Sequence, residues 1–242
     1  MNLLQLEVRG PEMRARMYLR RLCGALSHED VRDLVDAEHF AEKRGRRLNT
    51  TITVHPKLLT SYPADVVKWV SSFLNKLRIW CVRDRRFGYF ALWVRESYEG
   101  DRREHLHVLV SVPDRDRSAL EAALRRWLPG ADGVFDLGRP EYRRDRFGRV
   151  TNKAMTYVLK QMTTQAWWSL EKQVRRETHC RETHLPVAPV LGKRCGVSRS
   201  LNKATRQAFW ERRSSPARQV GQRRLSPPIK EGRDFSTEQG VA

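Results

Sequence analysis

The chain has no apolar run near the roughly 20 residues needed to cross a bilayer. Its longest candidates are strand-like pieces such as Tyr89 to Val94. It does not open like a secretory signal either, because Leu3-Leu4 is followed at once by Glu7, Arg9, Glu12 and Arg14. Cysteine is sparse. Cys23, Cys81, Cys180 and Cys195 include no CxxC pair, the usage expected of reduced thiols in a cytoplasm. His179, Cys180, His184 and Cys195 are too irregularly spaced for a zinc motif. A phosphate-binding loop is missing too, since Gly192-Lys193 lacks both the earlier glycine and the following hydroxyl residue. The expectation is a cytoplasmic protein without a membrane role, relying on another protein for any ATP-driven unwinding.

Acidic residues are also in short supply. Against 28 Asp+Glu stand 47 Lys+Arg, a formal net charge of +19. Such an excess repels itself and becomes useful beside a polyanion, so nucleic acid is the expected partner. In other respects the 242 residues, 40% hydrophobic and 31% charged, suit a globular chain with one main core and basic extensions.

Periodicity divides the chain into four parts. Residues 1–47 read as a helical basic lead-in, with Val31, Leu34, Val35 and Phe40 at helical spacing before the run Lys43 to Arg47. Residues 48–175 read as the main domain. There Thr51 to Pro56 alternates as a strand, and Val66, Val70, Phe73, Leu74 and Leu77 mark a helix. Phe87 to Tyr98 and Glu104 to Val112 form a hairpin, Ala119 to Leu128 a second helix and Val134 to Leu137 a short strand. Glu141 to Arg149 reads as a loop, and Thr151 as the cap of a third helix running to about Glu171. Residues 176–213 read as a basic helical extension, with Gly192 to Trp210 helical, and 214–242 as a disordered tail. The order β-α-β-β-α-β-α predicts an α+β fold, a central antiparallel sheet with helices on one face.

Chemistry concentrates at two places. In the second hairpin strand Leu106, Val108, Val110 and Val112 share the core face, so His105 and His107 project together from the other. Glu96 on the partner strand lies close enough to complete a two-histidine, one-carboxylate metal site, although Glu99, Asp101 and Glu104 near the turn compete for the third place. On the third helix Ala154, Met155, Val158, Leu159, Met162 and Ala166 form an apolar side. Tyr157 and Lys160 lie opposite, one turn apart.

Together, His105-Leu106-His107 followed by Tyr157-Val158-Leu159-Lys160 resemble the HUH endonuclease superfamily, and Thr51 to Pro56 resembles the first motif of its replication initiators. The tyrosine follows the histidines, the order of rolling-circle Rep proteins with one tyrosine rather than of conjugative relaxases. The resemblance spans Thr51 to Gln165. It implies a ferredoxin-like or RRM-like sheet, and Mg²⁺ or Mn²⁺ on His105, His107 and Glu96. It also implies attack by Tyr157 on a DNA phosphate, leaving a 5′-phosphotyrosyl link and a free 3′-hydroxyl primer, while Lys160 holds the phosphate and favours the phenolate. The expected partners are single-stranded or locally unwound DNA at a replication origin, with a host helicase and polymerase. Arg143, Arg144, Arg146, Arg194, Arg199, Lys203 and Arg206 are candidate backbone contacts. No second tyrosine lies near Tyr157, which leaves the second strand transfer unassigned. A single-strand transposase of the same superfamily and a non-catalytic DNA-binding protein are the competing readings.

Overall fold

A computed structural model describes residues 22–98, 101–144, 150–169 and 188–214. In chain order these form β1 (Leu22–Cys23), α1 (His28–Lys43), β2 (Thr50–Val54), α2 (Val66–Ile79), β3 (Ala91–Tyr98) and β4 (Asp101–Val110). There follow α3 (Arg117–Trp127), β5 (Phe135–Gly138), β6 (Tyr142–Arg144), β7 (Val150–Asn152), α4 (Lys153–Val158) and α5 (Thr164–Ser169). The last are β8 (Val190–Leu191), β9 (Cys195–Val197) and α6 (Lys203–Ser214).

The fold is α+β, built on a five-stranded antiparallel sheet in the order β5-β2-β4-β3-β9. Alternation along the strands settles which residues share a face. Ile52, Val54, Ala91, Leu106, Val108 and Val110 pack against Val70, Phe73 and Leu77 of α2 and against Leu120, Ala123 and Leu124 of α3. Helix α2 starts where the Asp65 carboxylate accepts the Lys68 amide at 3.0 Å. Strand β2 stops at Val54, and Pro56 opens a single 3₁₀ turn, because proline has no N–H for the ladder.

The helices do not stay on one face. Leu92, Val94 and Leu109, which alternate with the first set, are buried as well, and a sheet apolar on both sides must be covered on both. Helix α1 contacts β3 and β9 and packs with α5. It is anchored by a capping box in which Ser27 and Asp30 satisfy each other's backbone N–H, and it buries Val31, Leu34, Ala37, Phe40 and Ala41.

The C-terminal segment also departs from expectation. Residues 190–197 are not helical: β8 pairs with β1, and β9 pairs with the free edge of β3. Only Lys203–Ser214 forms the expected α-helix. Short apolar pieces such as Val190-Leu191 carry no readable period, and what makes them strands is a partner distant in sequence. Gly196 fits here for want of a side chain, since a Cβ would meet the Trp93 indole at 3.0 Å. The main sheet therefore draws an edge strand from beyond residue 175.

Arg194 and Arg206, expected to face DNA, are buried. The Arg194 guanidinium donates to Gln161 Oε1 and to the Ala188 carbonyl, both at 2.6 Å, and Arg206 donates to Asp33 at 2.6 Å. A buried guanidinium has to be satisfied by protein acceptors, so these two hold segments together instead of meeting phosphates.

The tyrosine helix is shorter than its apolar pattern suggests. It runs only from Lys153 to Val158, and α5 begins anew at Thr164. Leu26 accounts for the break. Its N–H donates to the Gln161 carbonyl, and its carbonyl accepts the Thr163 N–H, an exchange incompatible with a continuous helical ladder. The cap is Asn152, whose side chain accepts the Ala154 amide at 2.9 Å, and not Thr151. The expected loop Glu141 to Arg149 includes β6, which pairs with β7 at the start of the helix. Contacts divide the chain into Met1–Arg206, which holds every described strand, and Gln207–Ala242, whose described part is the end of α6, with Gln207 bonded to Glu211 at 2.8 Å. Residues 1–21 of the lead-in, 170–187 and the expected tail from 215 lie outside the described residues.

Replacing Arg194 by Ala is expected to lower the unfolding free energy by about 2–4 kcal/mol, because its buried acceptors lose their donor. Exposed Arg199 replaced by Ala should change it by less than about 0.5 kcal/mol. Urea unfolding of both variants checks the contrast.

Candidate metal centre and tyrosine

The hairpin β3–β4 builds the centre. Its register sets Glu96 opposite His105 and Val94 opposite His107, so both imidazoles and the carboxylate rise from the second face of the sheet. One ligand atom from each of Glu96, His105 and His107 lies within 4.8 Å of the others. His107 Nε2 is 2.9 Å from Glu96 Oε2, and its Nδ1 is 3.1 Å from the Thr53 hydroxyl on β2. A histidine held at both nitrogens has a defined ring orientation. This donor set of two nitrogens and a carboxylate suits a divalent metal ion. Of the competing carboxylates, Glu104 is committed to an ion pair with Arg95. Glu99 and the Asp101 side chain lie outside the described residues.

Glu96 is only 1% exposed. Burial alone would raise its carboxyl pKa, but the hydrogen bond and charge of His107, and then those of Lys160, outweigh it and hold the group below its ordinary value. It is therefore a carboxylate at neutral pH. Lys160 Nζ sits 2.9 Å from the same Oε2 and 3.6 Å from the centre of the Tyr157 ring, a cation–π geometry. Tyr157 meets His107 edge to face with ring centroids 5.0 Å apart, yet is 51% exposed. Gln161 grips strand β3 at Ser97, donating to its carbonyl at 3.0 Å and accepting its amide at 3.3 Å. That grip fixes the neighbouring Lys160 above Glu96.

The structure thus brings together Glu96, His105, His107, Tyr157 and Lys160. Arg199 and Lys203 are exposed, as a contact with a polyanion requires. Arg143 and Arg144 belong to β6, but their side chains, like all of Arg146, lie outside the described residues. Sequence reasoning missed three neighbours. Thr53 holds His107, and His55 packs against His105 with ring centroids 4.4 Å apart while its Nε2 lies 3.4 Å from Asp136. Alternation along β2 was the available signal for Thr53 and His55, which it places on the histidine side of the neighbouring strand; Asp136 sits opposite Thr53 on β5, a pairing no local pattern announces.

The chain matches no family model, no curated protein and no solved structure. The reading of the site consequently rests on its own geometry.

Metal-free protein is expected to take up Mn²⁺ at this centre, with affinity falling by more than about tenfold in Glu96→Gln and in His107→Ala. Titration calorimetry measures both. A second expectation concerns acid. Burial first, then the charges of His55 and His107, hold His105 down at about 4 from its usual 6.5. The unfolded chain binds a proton near pH 6.5 that the folded residue refuses until about pH 4. Stability contributed by this group is complete above that window and is lost as pH falls through it. His105→Gln should lose less stability than wild type between the two values, measured by urea unfolding without metal.

Proposed function

We propose that this protein is a metal-dependent endonuclease that cuts one DNA strand with Tyr157 and so starts rolling-circle replication of a small replicon. The observation that carries the reading is an exposed tyrosine set edge-on against His107 of a buried Glu/His/His group, with a lysine between phenol and carboxylate. A packing tyrosine has no need of such a position. The strong positive charge, +19, favours a nucleic-acid substrate. The β-α-β-β-α-β order of the sheet and its two helices supports a ferredoxin-like core of the HUH endonuclease kind.

In this mechanism the Tyr157 oxygen attacks the scissile phosphorus. A tyrosyl O–P bond forms as the bond to the 3′-oxygen breaks; the phenol proton leaves to solvent, and the departing oxygen takes one up as a 3′-hydroxyl. The phosphodiester energy is kept in the 5′-phosphotyrosyl link, and the hydroxyl is available to a polymerase as a primer. Glu96, His105 and His107 would hold Mg²⁺ or Mn²⁺, which when bound would supply Lewis-acid charge to the phosphate. Thr53 keeps the His107 ring oriented, and Lys160 brings positive charge beside the phenol. Single-stranded or locally unwound origin DNA is the substrate, and a host helicase and polymerase are the partners the reaction requires.

The test is incubation of the full chain with Mn²⁺ and labelled single-stranded DNA from its own replicon, followed by a denaturing protein gel. A covalent protein–DNA band is expected from wild type and from neither Tyr157→Phe nor His107→Ala. DNA binding without nicking in any divalent metal would overturn the enzyme reading and leave a nucleic-acid-binding protein.

A further inference from the structure

Beside the tyrosine lies a cavity of about 290 Å³ to which the proposed chemistry assigns no part of the substrate. Its floor is the second face of β2 and β4, where Thr51, Thr53, His107 and Leu109 line it. Ala154, Tyr157 and Val158 of α4 form one wall, and Arg139 and Pro140 another. Gly138 stands opposite Thr51 in the ladder, and a Cβ there would run into the Thr51 hydroxyl. At the rim Arg139 is 63% exposed and 3.1 Å from Asp114; Lys153, which also lines the cavity, pairs with Glu141.

We infer that this cavity takes one unpaired nucleotide of the strand that Tyr157 cuts, base inward and phosphate toward Arg139 and Lys153. The inference rests on the nuclease reading and names a position at which the enzyme grips its substrate. Three features point to that occupant. The volume lies at the lower end of small-ligand sites, room for a single nucleotide and not for a duplex. Leu109, Pro140, Ala154 and Val158 supply apolar surface for the faces of a base, while two threonine hydroxyls can donate to and accept from its edge. Arg139 and Lys153 also line it, and although each is paired with a carboxylate, Asp114 and Glu141, each keeps further N–H donors that a passing phosphate can share. The Tyr157 ring belongs both to the cavity wall and to the metal centre, so a nucleotide seated there places its neighbouring phosphate at the phenol. Positioning of this kind lowers the entropic cost of attack. Thr53 links the two sites directly, since this residue both bonds His107 and lines the cavity.

The test uses methyl-resolved NMR of the full chain carrying Tyr157→Phe, so that binding is read without cutting. The probes are single-stranded pentanucleotides of each base and an abasic strand of equal charge. The expected result is that at least one base shifts the Thr51, Ala154 and Val158 methyls while the abasic strand does not. Ala154→Phe, which fills the cavity, should weaken that probe by about tenfold or more, within the range of one stacked base. Arg139→Ala, a change at the rim that leaves the cavity open, should weaken it by about threefold. Shifts reproduced by the abasic strand, or absent from these methyls with every base, would overturn the inference. Wild-type nicking would then still stand on its own assay. Base-dependent shifts without nicking would instead sustain the cavity as a nucleotide site and remove the nuclease.

Discussion

A carboxylate with almost no access to water has to be matched by positive charge or hydrogen-bond donors, and Glu96 is such a group. Much of the surrounding arrangement follows from that requirement. His107 approaches it from the next strand and Lys160 from above. The helix that carries Tyr157 ends just before Lys160, and the next residue, Gln161, clamps Ser97 on the strand that carries Glu96. Gln161 is in turn held by Arg194, whose position depends on the segment leading into β9. The centre is thus supported by residues far away in sequence, and one of them, Arg194, is a charged group that a surface argument would assign to DNA.

The same arrangement explains how a buried metal-type centre and an exposed nucleophile candidate coexist. The carboxylate and His107 lie beneath α4, whereas Tyr157 projects past them toward solvent. The low-dielectric side strengthens electrostatic contacts among Glu96, His107 and Lys160. On its open side the phenol can be reached by a polymeric substrate. The adjacent cavity, lined by Thr51 and Thr53 of β2, shares Tyr157 and His107 with this site.

The two faces of the sheet are specialised. One is a mainly apolar layer under α2 and α3, ending at the buried Arg95–Glu104 ion pair. The other is apolar only in part: Leu92, Val94 and Leu109 are buried, while Thr51, Thr53, His55, His105 and His107 form a polar strip that leads to the tyrosine. Strand period two makes this division possible without any conflict between core and site.

That division was legible in the sequence. Alternation along residues 105–112 placed both histidines opposite the apolar set, pairing within a hairpin brought Glu96 close, and helical spacing set Tyr157 and Lys160 apart from the apolar side of their helix. These are local properties, and an α+β fold with an antiparallel sheet followed from them. Tertiary structure alone decided that α1 covers the histidine side, that Cys195–Val197 completes the sheet, that Leu26 interrupts the tyrosine helix and that Arg194 and Arg206 are interior residues. The reason is physical: periodicity reports which side of an element is apolar, but not which distant segment will satisfy it. An arginine reads as a surface charge until the acceptors that fold around it are known.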